Sequence, residues 1–161
     1  MPYVARSAAT LRISGEFLDP AEISAQLGAE PSSSHMKGDV SLTRSGHEIV
    51  RKVGLWRLKA TDRVPEDIDV QIRDLLSGLT QDLATWRALS EAYEVDLFCG
   101  LFMDDSNEGL ELSSGSLAAL ADRGVKLGFD IYAPFRAIAS DEACPCGSGK
   151  QYVECCAPTA A

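Results

Sequence analysis

Val95-Asp-Leu-Phe-Cys-Gly-Leu-Phe-Met103 is apolar at nearly every position. A strand covered on both sides reads as a continuous apolar run, whereas a half-exposed one alternates. This stretch is therefore the expected centre of a sheet. Just before it, Ile68, Ile72, Leu75, Leu76, Leu79, Leu83, Trp86, Leu89 and Tyr93 recur at spacings of three and four. That period puts them on one face of a long helix, with Gly78 as a slight bend. A leucine stripe running into a buried strand predicts a helix laid on a sheet.

Toward the N-terminus, residues 4–14 place Ala5, Ala9, Leu11 and Ile13 on one side of a half-buried strand. Asp19-Pro20-Ala21-Glu22 reads as a capped helix start, Ile23 and Leu27 form its buried stripe, and Gly28 ends it. Residues 29–47 are polar and turn-rich, a long loop, and Val53–Lys59 is the next strand. Beyond the central run, Asp104–Gly109 is a turn into a short strand at Leu110–Ser113. Ser116 then caps a short helix, Gly124 stops it, and Val125–Tyr132 is the last strand. The order β-α-β-α-β-β-α-β predicts an α+β fold: a two-layer sandwich, mainly antiparallel, with helices on one face. Residues 1–133 make up that body, 134–143 a linker and 144–161 a small C-terminal metal-binding tail.

The tail carries the clearest chemistry. Four of the five cysteines fall in Cys144-Pro-Cys146-Gly-Ser-Gly-Lys-Gln-Tyr-Val-Glu-Cys155-Cys156. Two close pairs separated by a short loop suit tetrahedral thiolate coordination, each pair gripping one edge of the ion. Tyr152 and Val153 are the only sizeable apolar side chains there. Structural zinc contributes about 10–16 kcal/mol to comparable peptides, more than two such side chains supply. Adjacent cysteines and C-x-C are cramped for disulfides, and the chain opens without the apolar core of a secretory leader. A phosphate-binding loop would need Gly at 144 and Ser or Thr at 151, where Cys and Gln stand. The ligand set read from the sequence is thus Cys144, Cys146, Cys155 and Cys156, for Zn2+, with iron as the alternative that four thiolates also suit. Gly147 and Gly149 supply the turn, and Lys150 offsets the negative charge of the thiolates.

This string resembles the SEC-C motif, known from the tail of the preprotein translocase SecA, where it engages the chaperone SecB and the ribosome. The resemblance spans residues 143–157 and implies a protein partner associated with a chaperone, a translocase or the ribosome. The basic residues that often follow the Gly-Lys step are here Gln151 and Glu154, which argues against a nucleic-acid contact. The body resembles the bacterial domain of unknown function 4279, on Gly15-Glu-Phe-Leu-Asp-Pro-Ala-Glu-Ile23, Ser34-His-Met-Lys-Gly-Asp39, Gly54-Leu-Trp-Arg-Leu58 and Leu127-Gly-Phe-Asp-Ile-Tyr132. That second resemblance implies a fold and leaves activity open.

Net charge is −9 and the pI near 4.6, which disfavours nonspecific binding to nucleic acid or anionic membrane. No run reaches the eighteen or so apolar residues of a membrane span. Free thiols and the bacterial resemblance place the chain in the cytoplasm. Residues 37–63 are net +4 while the rest sum to −13, a strip that reads first as the solvated edge of a sheet. Catalytic candidates are sparse, so the expectation is no enzyme. His35 and His47 are loop histidines without an identifiable orienting partner. His35, Lys37, Trp56, Asp130 and Tyr132 are the candidate ligand or partner surface, with Asp130 and Tyr132 lining a small pocket beside Trp56, Lys37 and the Gly38 backbone, and Cys99 is read as a core thiol. The leading function is a protein-binding adaptor with a structural metal knuckle. The alternatives are an immunity-like inhibitor of a basic toxin or nuclease, and a small-ligand-binding domain.

Overall fold

The structure, a computed structural model, describes residues 3–134, 141–144, 146–151 and 154–155. In chain order these form β1 (Arg6–Gly15), α1 (Pro20–Leu27), β2 (Ser33–His35), β3 (Val40–Leu42), β4 (Glu48–Val50), β5 (Gly54–Lys59), α2 (Ile68–Ser77), α3 (Leu83–Ala92), β6 (Glu94–Phe102), α4 (Ser114–Asp122) and β7 (Lys126–Tyr132). The main sheet has five strands in the order β2-β5-β1-β6-β7, and β3 and β4 make a separate two-stranded sheet. All main-sheet pairs are antiparallel except β6 with β7. The fold is α+β.

Alternation along each strand sorts the sheet into two faces. Ala9, Leu11 and Ile13 of β1, Trp56 of β5, and Val95, Leu97, Cys99 and Leu101 of β6 are buried toward the helices. Ile23 and Leu27 of α1, Ile68, Ile72, Leu75 and Leu76 of α2, and Trp86 and Leu89 of α3 complete that core. The opposite face carries Arg12, Arg57, Asp96, Phe98 and Lys126 in register across four strands. It has no helix above it among the described residues, so β6 has one covered face, and Phe98 and Phe102 are only half-buried.

The stripe from residue 68 to 93 is two helices, not one bent helix. α2 stops at Gly78, and Asp82 restarts the chain by accepting from the backbone N–H groups of Ala84 and Thr85. The break is held from several sides. Gln81 Nε2 donates to the Leu76 carbonyl at 2.8 Å, Trp86 Nε1 to the Thr80 carbonyl at 2.8 Å, and Thr80 N–H to the Leu27 carbonyl at 2.8 Å. Leu79 is buried although non-helical, and so the apolar spacing runs through the break unaltered.

Three further expectations change. The 29–47 loop contains β2, which pairs with β5, and β3, which pairs with β4. Leu110–Ser113 is not a strand. Instead, Ser113 caps α4 by accepting from Ser116 N–H, while Asp69 of α2 accepts the Ser113 N–H at 3.1 Å. The cap is therefore Ser113, three residues ahead of the predicted Ser116. The reading of α1 matches in detail: Asp19 accepts from Ala21 N–H, Pro20 is the first helical residue, and Gly28 closes the helix at φ 75°.

Ser7 and Gln71 are fully buried polar residues that satisfy each other. Gln71 of α2 accepts from the Ser7 hydroxyl at 2.8 Å and donates to the carbonyls of Thr61 and Ser7. This satisfies the carboxamide and ties α2 to β1.

Candidate metal centre

The segment from Ala143 to Gln151 is a narrow turn. Cys144 N–H donates to the Lys150 carbonyl at 2.8 Å, and Ala143 bridges Gln151 in antiparallel fashion. Inside it, Gly147 N–H reaches the Cys144 carbonyl at 3.2 Å, a tight loop that Gly147 (φ 80°) and Gly149 (φ 73°) close in left-handed conformations that side chains resist. Glu154 N–H returns to the Gln151 carbonyl at 3.1 Å and carries the chain back toward Cys155.

That path gathers three sulfurs. The ligand atoms of Cys144, Cys146 and Cys155 all lie within 4.8 Å of one another, with Cys146 and Cys155 Sγ atoms 3.4 Å apart. In a tetrahedron with metal–sulfur bonds of about 2.3 Å the sulfur–sulfur edge is about 3.8 Å, so this spacing fits a common ion. The Ser148 hydroxyl lies 3.2 Å from Cys155 Sγ. Hydrogen bonds from the Ser148 hydroxyl, from Cys144, from the Ser148 backbone and from Cys155 hold the Cys146 thiol down to about 6. A thiol there is largely thiolate at neutral pH, the form that binds metal. The cluster can hold a metal ion. Cys156, the fourth cysteine of the predicted set, lies outside the described residues, as do Pro145 and residues 135–140 of the predicted linker.

The remaining thiol behaves in the opposite way. Cys99 is fully buried in β6, and desolvation together with the charge of Asp96 pushes it up to about 12. It is a core side chain.

The five residues of the candidate surface do not lie together. Trp56 is fully buried on the helix side of the sheet, where its Nε1 donates to Ser24 Oγ at 3.1 Å. His35, Asp130 and Tyr132 lie on the open side, but on β2 and β7, the two edges of the sheet. Four strand spacings of about 4.8 Å separate those edges, some 19 Å. Lys37 pairs with Glu16 beneath the Phe17 ring. Two smaller groupings replace the single pocket. At one edge the Tyr132 hydroxyl donates to Asp130 at 2.5 Å, which raises the phenol above its ordinary value, and Tyr132 stacks on Phe102 at 4.6 Å. Arg6 covers the Phe102 ring 3.5 Å from its centre.

At the other edge, His35 lines a concavity of 380 Å³ with Ser33, Ser34, Asp39, Arg51 and Arg57. Desolvation and the charges of Arg51 and Arg57 hold the imidazole below its ordinary value, against the opposing pull of Asp39. Among the described residues, the buried Nε atoms of Arg51 and Arg57 have no hydrogen-bond partner. Sequence reasoning named His35 and did not place the two arginines beside it, because Arg57 comes there through the pairing of β2 with β5 and Arg51 through its backbone bonds to Gly38 and Asp39. The larger groove of 610 Å³ on the open face is lined by two ion pairs, Arg12 with Asp96 and Lys126 with Glu94, and by Arg57.

Among the described residues no helix is long and apolar enough to cross a membrane. No curated protein and no solved structure shows significant similarity to the chain. Residues 142–158, which hold the cysteine cluster, match the SEC-C motif. Residues 5–134 match the model of a domain of unknown function, DUF4279, and since this covers most of the chain, the protein belongs to the DUF4279 family.

Proposed function

We propose that this is a non-enzymatic binding protein whose α+β body and metal-shaped tail each present a surface to protein partners. The observation that carries the reading is the convergence of Cys144, Cys146 and Cys155 on one point. Three clustered sulfurs, with Cys156 next in sequence, favour a closed structural site over a catalytic one, which would keep a position open to water. Zinc is the ion we assign, because it accepts four thiolates in a tetrahedron without demanding redox chemistry. When bound it supplies folding energy and a rigid knuckle. Likeness of the tail to SEC-C sequences supports a chaperone-, translocase- or ribosome-associated partner in the bacterial cytoplasm.

The placement of acid–base candidates also favours binding over catalysis. His47 Nδ1 meets the Ser45 hydroxyl at 2.9 Å in the exposed β3–β4 turn, and Glu108 accepts from the Asp104 and Asp105 backbones as turn residues do. Metal analysis of the purified chain should find one zinc per molecule, lost in Cys146→Ser. Protein captured by the intact chain but not by one ending at residue 140 would identify the tail's partner. Iron in place of zinc would overturn the assignment of the ion, and identical captured sets would overturn the role of the tail.

A second reading is favoured by one observation, the two arginines, Arg51 and Arg57, that line the concavity beside His35. They suit a small anionic ligand such as a carboxylate or phosphate. Titration with inorganic phosphate, followed through the His35 ring resonances, should raise the imidazole pKa if the anion sits there. Unmoved resonances at tens of millimolar phosphate would remove this reading.

A further inference from the structure

The two edges of the main sheet are built differently. β2 is three polar residues long, a blunted edge. β7 runs for seven residues, and Phe129, Ile131 and Tyr132 on it are 42%, 62% and 45% exposed. Among the described residues it pairs only with β6. A long, apolar, unpaired edge is a template for another strand.

Backbone direction says which groups are offered. Met103 N–H donates to the Tyr132 carbonyl at 3.0 Å, in a ladder that is parallel. In such a ladder alternate residues turn both backbone groups to the neighbour. Tyr132, Asp130, Gly128 and Lys126 therefore face β6, and the N–H and C=O of Leu127, Phe129 and Ile131 point away from it.

The side chains around Gly128 on this strand are self-complementary. Lys126-Leu127-Gly128-Phe129-Asp130 reads cation, apolar, glycine, apolar, anion. Antiparallel pairing of two copies about a two-fold axis at Gly128 sets Leu127 opposite Phe129, the residues with free backbone groups. It sets Lys126 opposite Asp130, twice. Gly128 meets itself as the non-hydrogen-bonded pair, where Cα atoms approach to about 4.5 Å and the missing side chain relieves crowding. Other centres lose this match. An axis at Lys126 or Asp130 opposes like charges, and one at Leu127 or Phe129 forms no Lys–Asp pair. The existing partners of these charges are surface groups, with the Lys126 and Glu94 side chains 69% and 73% exposed, so they exchange freely.

We propose that β7 is a self-association site through which two copies of this chain join their five-stranded sheets into one continuous sheet. An isologous contact of this kind closes on itself and leaves only the short β2 edges outside. The proposal is independent of what the tail or the arginine concavity bind.

The test is the mass of the full chain in solution over a concentration series, with light scattering after size exclusion. The expected result is a species of twice 17.3 kDa at the upper concentrations. Lys126→Glu and Asp130→Lys should each weaken the dimer about tenfold, since each turns two attractive cross-strand pairs repulsive. The double variant, with both charges exchanged, should restore it. A chain that stays monomeric throughout overturns the proposal. So does a dimer that neither single variant weakens, or a double variant weaker than both.

Discussion

The body and the cysteine segment hold the same side chain in opposite conditions. Cys99, between β1 and β7, is pushed up to about 12 by burial and the nearby Asp96 charge. Cys146 is drawn down to about 6 by hydroxyl, thiol and backbone donors around it. One thiol serves as a small apolar filler and the other as a ligand in waiting. The difference lies in how each region acquires shape. The body excludes water around Trp56, Trp86 and a continuous apolar core. The tail has little to exclude water with, and gathers sulfur and backbone donors instead. Residue type alone does not assign a cysteine its chemistry; the source of the local order does.

Removing the metal should separate the two regions most sharply. Structural zinc contributes about 10–16 kcal/mol to peptides of this size, so chelation should abolish amide protection around residues 144–155 and leave the sheet protected. In the stripped protein Cys146 should react with a thiol reagent at pH 7 within seconds to minutes, and Cys99 only on global unfolding. Hydrogen exchange followed by mass spectrometry reads the first, and labelled-peptide mapping the second. A tail as protected after chelation as before would break the comparison.

A smaller effect tests the body from its own side. Trp56→Ala should cost about 3–5 kcal/mol by opening a cavity under β5, seen as a lower urea midpoint. Zinc content of the folded variant should not change. If metal is lost with Trp56, the two regions are not separately stabilised.

The smallest effect concerns the joint between α2 and α4. Burial works to raise the Asp69 carboxyl, but hydrogen bonds from Ser116 and Ser113 and the charge of Arg73 outweigh it, leaving the group below its ordinary 3.8. A carboxyl depressed in the folded state stabilises it above the unfolded pKa and loses that contribution as pH falls through the folded value. Asp69→Asn should therefore cost about 1 kcal/mol at pH 7 and progressively less as the pH falls below 3.8, by urea unfolding at a series of pH values. A cost independent of pH would assign Asp69 a packing role.

Much of this molecule was legible in the chain, for local reasons. α1 announced itself through Asp19, Pro20 and Gly28, because caps are decided by neighbours in sequence. The cysteine turn was legible because a metal site closed by one short loop needs its donors close in sequence as well as in space. The helix break at 78–82 was hidden for a physical reason: Leu79 and Trp86 pack into the same core as the helices beside them, so the spacing of apolar residues carries no mark of it. The signal that would have found it is Asp82, an N-cap two residues before Ala84. Ser33–His35 gave no strand signal, since an edge strand with both sides wet need not alternate.

Composition and spacing determined the layers, the buried face and the clustered thiols, all of which depend on contacts between residues near in sequence or on a repeating apolar period. Only the tertiary structure decided that Trp56 points into the core while His35 and Asp130 end on opposite edges of one sheet. It also brought Arg51 and Arg57 beside His35, and set β7 parallel and outermost. Strand order is chosen by long-range pairing, whose hydrogen bonds are alike for every sequence, so no local pattern of residues encodes it.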